Sequence, residues 1–285
     1  MREVQAAAVD AAIGYLTAHA CVARLGCDGV DRQDGAQLGF LHAEFTHRCS
    51  REGDPQLHTH TILANLLQAP DGRRAALDGG LIFQHAKAAD GIYQAALRAE
   101  LSQRLGVAWE RRDEQWEIAG IPPGLCRQWS KRRSQITAAL AARGIDPDIA
   151  SGRAAQTAAL ATRHRKVQVG DGRSLHDRFA REAIAAGHDP GRILQATLPT
   201  GVERLSACIP HVTRTLDTVT GPDGVTKQAS SFSRRDAVID LAGRSAIHGV
   251  SADNAAARVG ILVNRLLRDD RVVPVLAAAA RHAPF

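Results

Sequence analysis

The sequence predicts an α+β fold, an antiparallel sheet with flanking helices followed by a small helical C-terminal region. Three observations carry that expectation. Apolar and polar residues alternate on both sides of a Gly53-Asp54-Pro55 turn signal, as in a hairpin. Ala-rich stretches over 2–20 and 84–105 place apolar residues three and four apart, the spacing of amphipathic helices. A run rich in Thr, Gly, Pro and Asp over 201–228 reads as a linker, with two more helical patterns after it. The 285 residues therefore divide into a main domain over 1–200, the linker, and a helical region over 229–285.

In chain order, Val9, Ile13 and Leu16 form the apolar stripe of the first helix. Ala8, Ala12 and Tyr15 adjoin it, so Tyr15 belongs to the packed side. Residues 21–36 hold several Gly and Asp and form a loop. Leu41, Ala43, Phe45 and His47 alternate with more polar neighbours as a first strand, and the run through Thr61 to Leu67 is a buried or half-buried second one. Ala69-Pro70-Asp71-Gly72 is a turn. The helix over 84–105 turns Ile92, Ala96, Leu101 and Leu105 inward, and Gly106 is placed to cap its end. Tyr93 packs within it. A short strand pair fits 109–118, and Pro122-Pro123-Gly124 ends it. Helices follow from Leu125 and over 158–166, and in the tail Ser233 is an N-cap signal ahead of Val238 and Leu241. The last helix spans 252–267.

Composition narrows the class of protein. Lys and Arg number 36 against 30 Asp and Glu, a net charge of +6 that suits a polyanion partner without proving one. No secretory segment follows Met1. The apolar run from Val272 to Ala280 is too short for a bilayer and is broken by Pro274, so the chain reads as cytoplasmic. Its five cysteines are scattered and form no C-x-x-C pair, so neither a disulfide frame nor a zinc ribbon is indicated. No G-x-x-x-x-G-K-[ST] loop occurs, so a P-loop ATPase is excluded.

The chemistry centres on Phe45 to Asn65, F-T-H-R-C-S-R-E-G-D-P-Q-L-H-T-H-T-I-L-A-N. His58 and His60 are two apart and share a strand face. A hairpin centred between Glu52 and Gly53 sets His47 opposite His58 and diagonal to His60, within about 5–8 Å. Three neutral imidazoles on one ribbon make a divalent-metal site with open positions, suited to polarising a substrate oxygen. Mg, Mn and Zn are not distinguished. A bare H-x-H is more often two surface histidines, and the third histidine weighs against that. Cys49, two residues past His47, is a soft sulfur that would favour zinc if it joined, and is otherwise a packed thiol.

The same segment resembles the metal-binding signature of the TrwC-type (MobF) conjugative relaxases, single-strand DNA nickases. The resemblance continues through Asp71-Gly72-Arg73, Ala76-Leu77-Asp78, Y-Q-A-A-L-R-A-E-L-S-Q-R-L-G-V-A-W from Tyr93, W-S-K-R-R-S-Q-I from Trp129 and A-L-A-T-R-H-R-K from Ala159. It implies an HUH-relaxase-like palm, single-stranded origin-of-transfer DNA as partner, a divalent ion at His47, His58 and His60, and DNA contacts from Arg51, Gln56, Lys131, Arg132, Arg133, Arg163, Arg165 and Lys166. A solvated helix face is the ordinary alternative for these basic clusters.

The resemblance also implies a nucleophilic tyrosine and an orienting aspartate upstream of Met1, together with the first sheet strands. The expectation is a truncated relaxase, inactive alone because its attacking group is absent. Its partner would be an N-terminal fragment encoded upstream. A non-catalytic DNA-binding remnant or regulatory module, a split enzyme, and an unrelated three-histidine metallohydrolase stay open beside it.

Overall fold

The computed structural model describes residues 1–25, 31–35, 38–68, 72–112, 115–163, 172–198, 212–227, 229–245, 247 and 249–275, with 31–34 and 172 by backbone alone. In chain order its elements are α1 (Arg2–Ala20), β1 (Val22–Leu25), β2 (Asp31–Asp34), β3 (His42–Cys49), β4 (Pro55–Leu63), β5 (Leu67–Gln68), β6 (Arg74–Leu77), α2 (Gly79–Leu105), β7 (Trp109–Arg112), β8 (Gln115–Ile118), α3 (Pro123–Gln128), α4 (Lys131–Ala141), α5 (Gly152–Ala161), α6 (Gly172–Ala185), α7 (Pro190–Thr197), α8 (Val212–Thr220), α9 (Arg234–Arg244) and α10 (Ala252–Leu266). The chain forms two compact units, one of residues 1–42, 63–106 and 203–285, the other of 43–62 and 107–202.

The first unit packs helices beside a four-stranded sheet of order β2-β1-β6-β5. Each pairing is antiparallel. Helix α2 is its axis. Ala88, Ile92, Ala95, Ala96 and Ala99 are buried against Ala8 and Ala11 of α1 and against Val238, Leu241 and Ala242 of α9. Small residues let the helices approach closely, and a Cβ at Gly91 would stand 3.1 Å from that of Ala242. Asp78 caps α2 by accepting from Leu81 N, and Gly106 ends it in the left-handed region at φ 68°. Of the expected inward set, Leu105 alone is exposed, at 37%.

The tail does not stand apart. Within the supposed linker, Val212–Thr220 is a helix that buries Leu216 and Val219 in the same core as α2. Two buried charges on α2 hold the helices after it. Arg98 Nη2 donates to Ala242 O at 2.8 Å near the end of α9, and Glu100 Oε1 accepts from Ala252 N at 2.9 Å at the start of α10. Each charge has the sign that the helix end it faces favours. Turn-forming composition did not announce this helix, because helix propensity is a weak prior beside burial of an apolar face. The N-cap at Ser233 is present, as a capping box with Asp236.

Tyr15 packs as its stripe predicts, in a ring cluster rather than a plain apolar contact. Its hydroxyl is 3.0 Å from His85 Nδ1, and His19 and His85 stack with ring centres 5.9 Å apart. Burial, then the neighbouring Arg234, hold the His19 pKa below its usual value. For His85 the causes are burial, His19 and Arg235. Asp10 and Asp253 line the adjoining cavity of about 300 Å³. A histidine whose folded pKa is depressed binds its proton more readily when unfolded, so stability is full above the unfolded pKa near 6.5 and falls as pH drops below it. The thermal midpoint therefore falls from pH 7.5 to pH 5, and the fall is smaller in a His19→Gln, His85→Gln double variant; equal slopes in the two proteins would contradict this.

Candidate metal and nucleic-acid site

The second unit carries the histidine ribbon. Strands β3 and β4 form a two-stranded sheet. Gly53 N donates to Ser50 O at 3.1 Å and Ser50 N to Asp54 O at 2.9 Å, closing a tight turn with a bulge at Gly53. Gly53 has φ 79°, a conformation that other residues adopt only under strain. Farther along, the Thr46 and Thr59 hydroxyls meet across the ribbon at 3.1 Å.

That geometry brings the three histidines together. Ring centres are 5.4 Å apart for His47 and His58, 5.1 Å for His47 and His60, and 5.0 Å for His58 and His60. Three imidazole nitrogens about 2.1 Å from a shared ion, in tetrahedral directions, would put ring centres roughly 5 Å apart. The spacing therefore fits an ion. His58 Nδ1 lies 3.1 Å from Gln56 O, a partner that fixes this nitrogen as the N–H and turns Nε2 into the available lone pair. The cage is not preformed: among the described residues no group of three or more His, Cys, Asp or Glu stands ready to hold an ion.

Strand β4 is mostly half-buried, as its sequence predicts, whereas β3 is largely exposed. Phe45 on β3 is 51% exposed and Ile62 on β4 59%. The physical reason is that β3 and β4 pair only with each other among the described residues, so no further strand covers them.

The predicted basic contacts divide by environment. Arg133 on α4 and Arg163 after α5 are exposed, as is Gln56 on β4, while Arg51 in the turn is half-buried. Lys131 opens α4 with its ammonium 3.1 Å from Asp54 and 3.6 Å from Glu182. Arg132 donates to Thr162 O at 2.8 Å and Thr162 Oγ1 at 3.1 Å, and also to Ala159 O, tying α4 to the end of α5. Arg165 and Lys166 lie outside the described residues. Sequence reasoning missed a role for the turn residue Asp54, and missed Gln135, Arg178 and Glu182, which surround the hairpin turn. Asp54 was visible only as a turn residue, and its burial to 3% exposure had no sequence signal.

With this geometry in place, comparison with known proteins gives a direct answer. A family model described as TrwC relaxase matches residues 1–186. The chain belongs to the TrwC relaxase family. Among solved structures it is similar to TrwC complexed with a 27-mer DNA comprising the recognition hairpin and the cleavage site, at 31% identity and TM-score 0.58, covering 66% of each chain. It is also similar to a copper-bound TrwC complex with origin DNA, at 30% identity and TM-score 0.58, covering 66% of this chain and 64% of that one. A metal-free complex matches at 30% identity and TM-score 0.59, with the same coverages. The chain thus spans slightly less than two thirds of these TrwC structures. No curated protein matches. The mixed helical and antiparallel fold agrees with the TrwC relaxase fold.

The contacts of Arg132 give a test within this family member. Arg132→Ala removes a charged donor from the α5 carbonyls and lowers unfolding free energy by about 1.5–3 kcal/mol. Arg133→Ala, on an exposed face, changes it by less than about 0.5 kcal/mol. Urea denaturation of both variants checks the contrast.

Proposed function

We propose that this chain supplies the ion-holding, phosphate-facing part of a conjugative relaxase, which nicks single-stranded origin-of-transfer DNA by transesterification. His47, His58 and His60 are the proposed ligands of a divalent ion. The convergence of their rings at 5.0–5.4 Å is the observation that carries the reading. A divalent ion bound there supplies Lewis acidity toward a phosphate oxygen.

The remaining work falls to the chain's own side chains. The Gln56 carbonyl orients His58, and the exposed Gln56 side chain is proposed to meet a nucleotide. Arg51, Arg133 and Arg163 are proposed to face phosphates, adding affinity that falls with salt and reads no base. Arg165 and Lys166 keep the same proposed role from the sequence alone. The carboxylate partners of Lys131 and the carbonyl partners of Arg132 favour structural roles for those two.

Neither tyrosine of the chain is assigned the attacking role. Tyr15 pairs with His85, and Tyr93 donates to Gln5 Oε1 at 2.9 Å. Burial, the largest cause, raises both pKa values and keeps the phenols protonated. The TrwC structures that match this chain are complexes with origin DNA, one copper-bound, which supports DNA and a metal as partners here. Among the described residues no helix is long and apolar enough to cross a membrane. Free thiols at Cys21, Cys49 and Cys126 suit the reducing cytoplasm proposed for the protein.

Calorimetric titration with Mn²⁺, Co²⁺ and Zn²⁺ tests the ligand set. The unmodified chain binds at least one of them, and His58→Ala weakens binding by more than the roughly 10–100-fold that loss of an outer partner costs. Unchanged affinity in His58→Ala would remove the assignment. On a single-stranded origin oligonucleotide, Arg133→Ala and Arg163→Ala should each reduce the salt slope by about 1.

A further inference from the structure

Among the described residues the ribbon that bears the histidines has two strands, and such hairpins are marginal by themselves. Phe45 on β3 and Ile62 on β4 are exposed, so packing along its length is incomplete. Rigidity good enough to keep three rings on one ion must come from somewhere else. The turn is where it is anchored.

Asp54, the last residue before β4, is buried and faces the start of α4. Ser130 caps α4 by position but its hydroxyl donates instead to Cys126 O at 2.7 Å. The carboxylate of Asp54 takes over that role, accepting from Lys131 N at 3.1 Å through Oδ2 and meeting the Lys131 ammonium at 3.1 Å through Oδ1. From α6, Arg178 donates to Gly53 O, and its guanidinium lies 3.5 Å from Glu182. Glu182 also faces Lys131 at 3.6 Å and accepts from Trp129 Nε1 at 3.3 Å. Gln135 Nε2 donates to Glu52 Oε2 at 3.1 Å. Three consecutive turn residues, Glu52, Gly53 and Asp54, are thus each held by a different side chain of α4 or α6.

We propose that Asp54 is a positioning residue for the metal site: by capping α4 and pairing with Lys131, it fixes the direction in which β4 leaves the turn and so aims His58 and His60 toward His47. This rests on the ion-site reading above. Asp54 lies four residues before His58, roughly 13 Å along an extended chain, too far to touch the ion itself. Its effect passes through the backbone. The same contacts make Lys131 a counter-ion of the turn rather than a phosphate contact.

Cobalt(II) is the probe, because its visible d–d absorption reports coordination geometry as well as occupancy. With the chain folded by circular dichroism, Asp54→Ala weakens Co²⁺ binding roughly 10–100-fold and alters the band shape. Asp54→Asn keeps an oxygen for Lys131 N and recovers most of the affinity and the native band. Lys131→Gln removes only the ammonium, lowers Co²⁺ affinity less than Asp54→Ala does, and leaves the salt dependence of oligonucleotide binding unchanged. A folded Asp54→Ala protein with native affinity and spectrum overturns the proposal. Should Asp54→Ala not fold, Lys131→Gln decides: a reduced salt slope with unchanged Co²⁺ affinity would make Lys131 a phosphate contact and end the clamp. If the unmodified chain takes up no Co²⁺, the ion-site reading fails and the proposal with it, an outcome distinct from the failure of the clamp alone.

Discussion

A β-ribbon repeats its side-chain direction every two residues, so a slip of one residue turns every side chain to the other face. The candidate site depends on that constraint. His58 and His60 share a face whatever the register, but His47 joins them only when β3 and β4 pair correctly. The turn that sets the pairing contains Gly53 at positive φ and Asp54 pinned against α4. A bulky or β-branched residue at Gly53 would strain the turn at the point from which the register propagates.

Much of the site was legible because it is local. The H-x-H spacing, the turn signal and His47 at the symmetric position all lie within fourteen consecutive residues from His47 to His60. Short-range periodicity is enough to bring those rings near one another. The helices were legible for the same reason: Val9 and Ala8 on α1, Ile92 and Ala96 on α2, and the Ser233 cap on α9 follow from spacing within single segments.

What sequence did not reveal is long-range and polar. Asp54 and Lys131 are 77 residues apart, Arg178 and Gly53 are 125 apart, and Arg98 and Ala242 are 144 apart. Nothing in the periodicity of either partner announces such a pair. The basic residues of α4 were therefore read as one surface, whereas the fold sorts them: Lys131 toward carboxylates, Arg132 toward the end of α5, Arg133 toward solvent. Within the stretch read as a linker, the burial of Leu216 and Val219 against α2 likewise depends on a helix more than a hundred residues earlier.

The central claim, that three imidazoles from two neighbouring strands meet over one cation, is tested most directly by X-ray absorption on the zinc-loaded chain. It predicts three imidazole nitrogens at about 2.0–2.1 Å with lighter oxygen ligands completing the shell. A sulfur at about 2.3 Å, placing Cys49 on the ion, or a fit with fewer than three imidazoles, would contradict it.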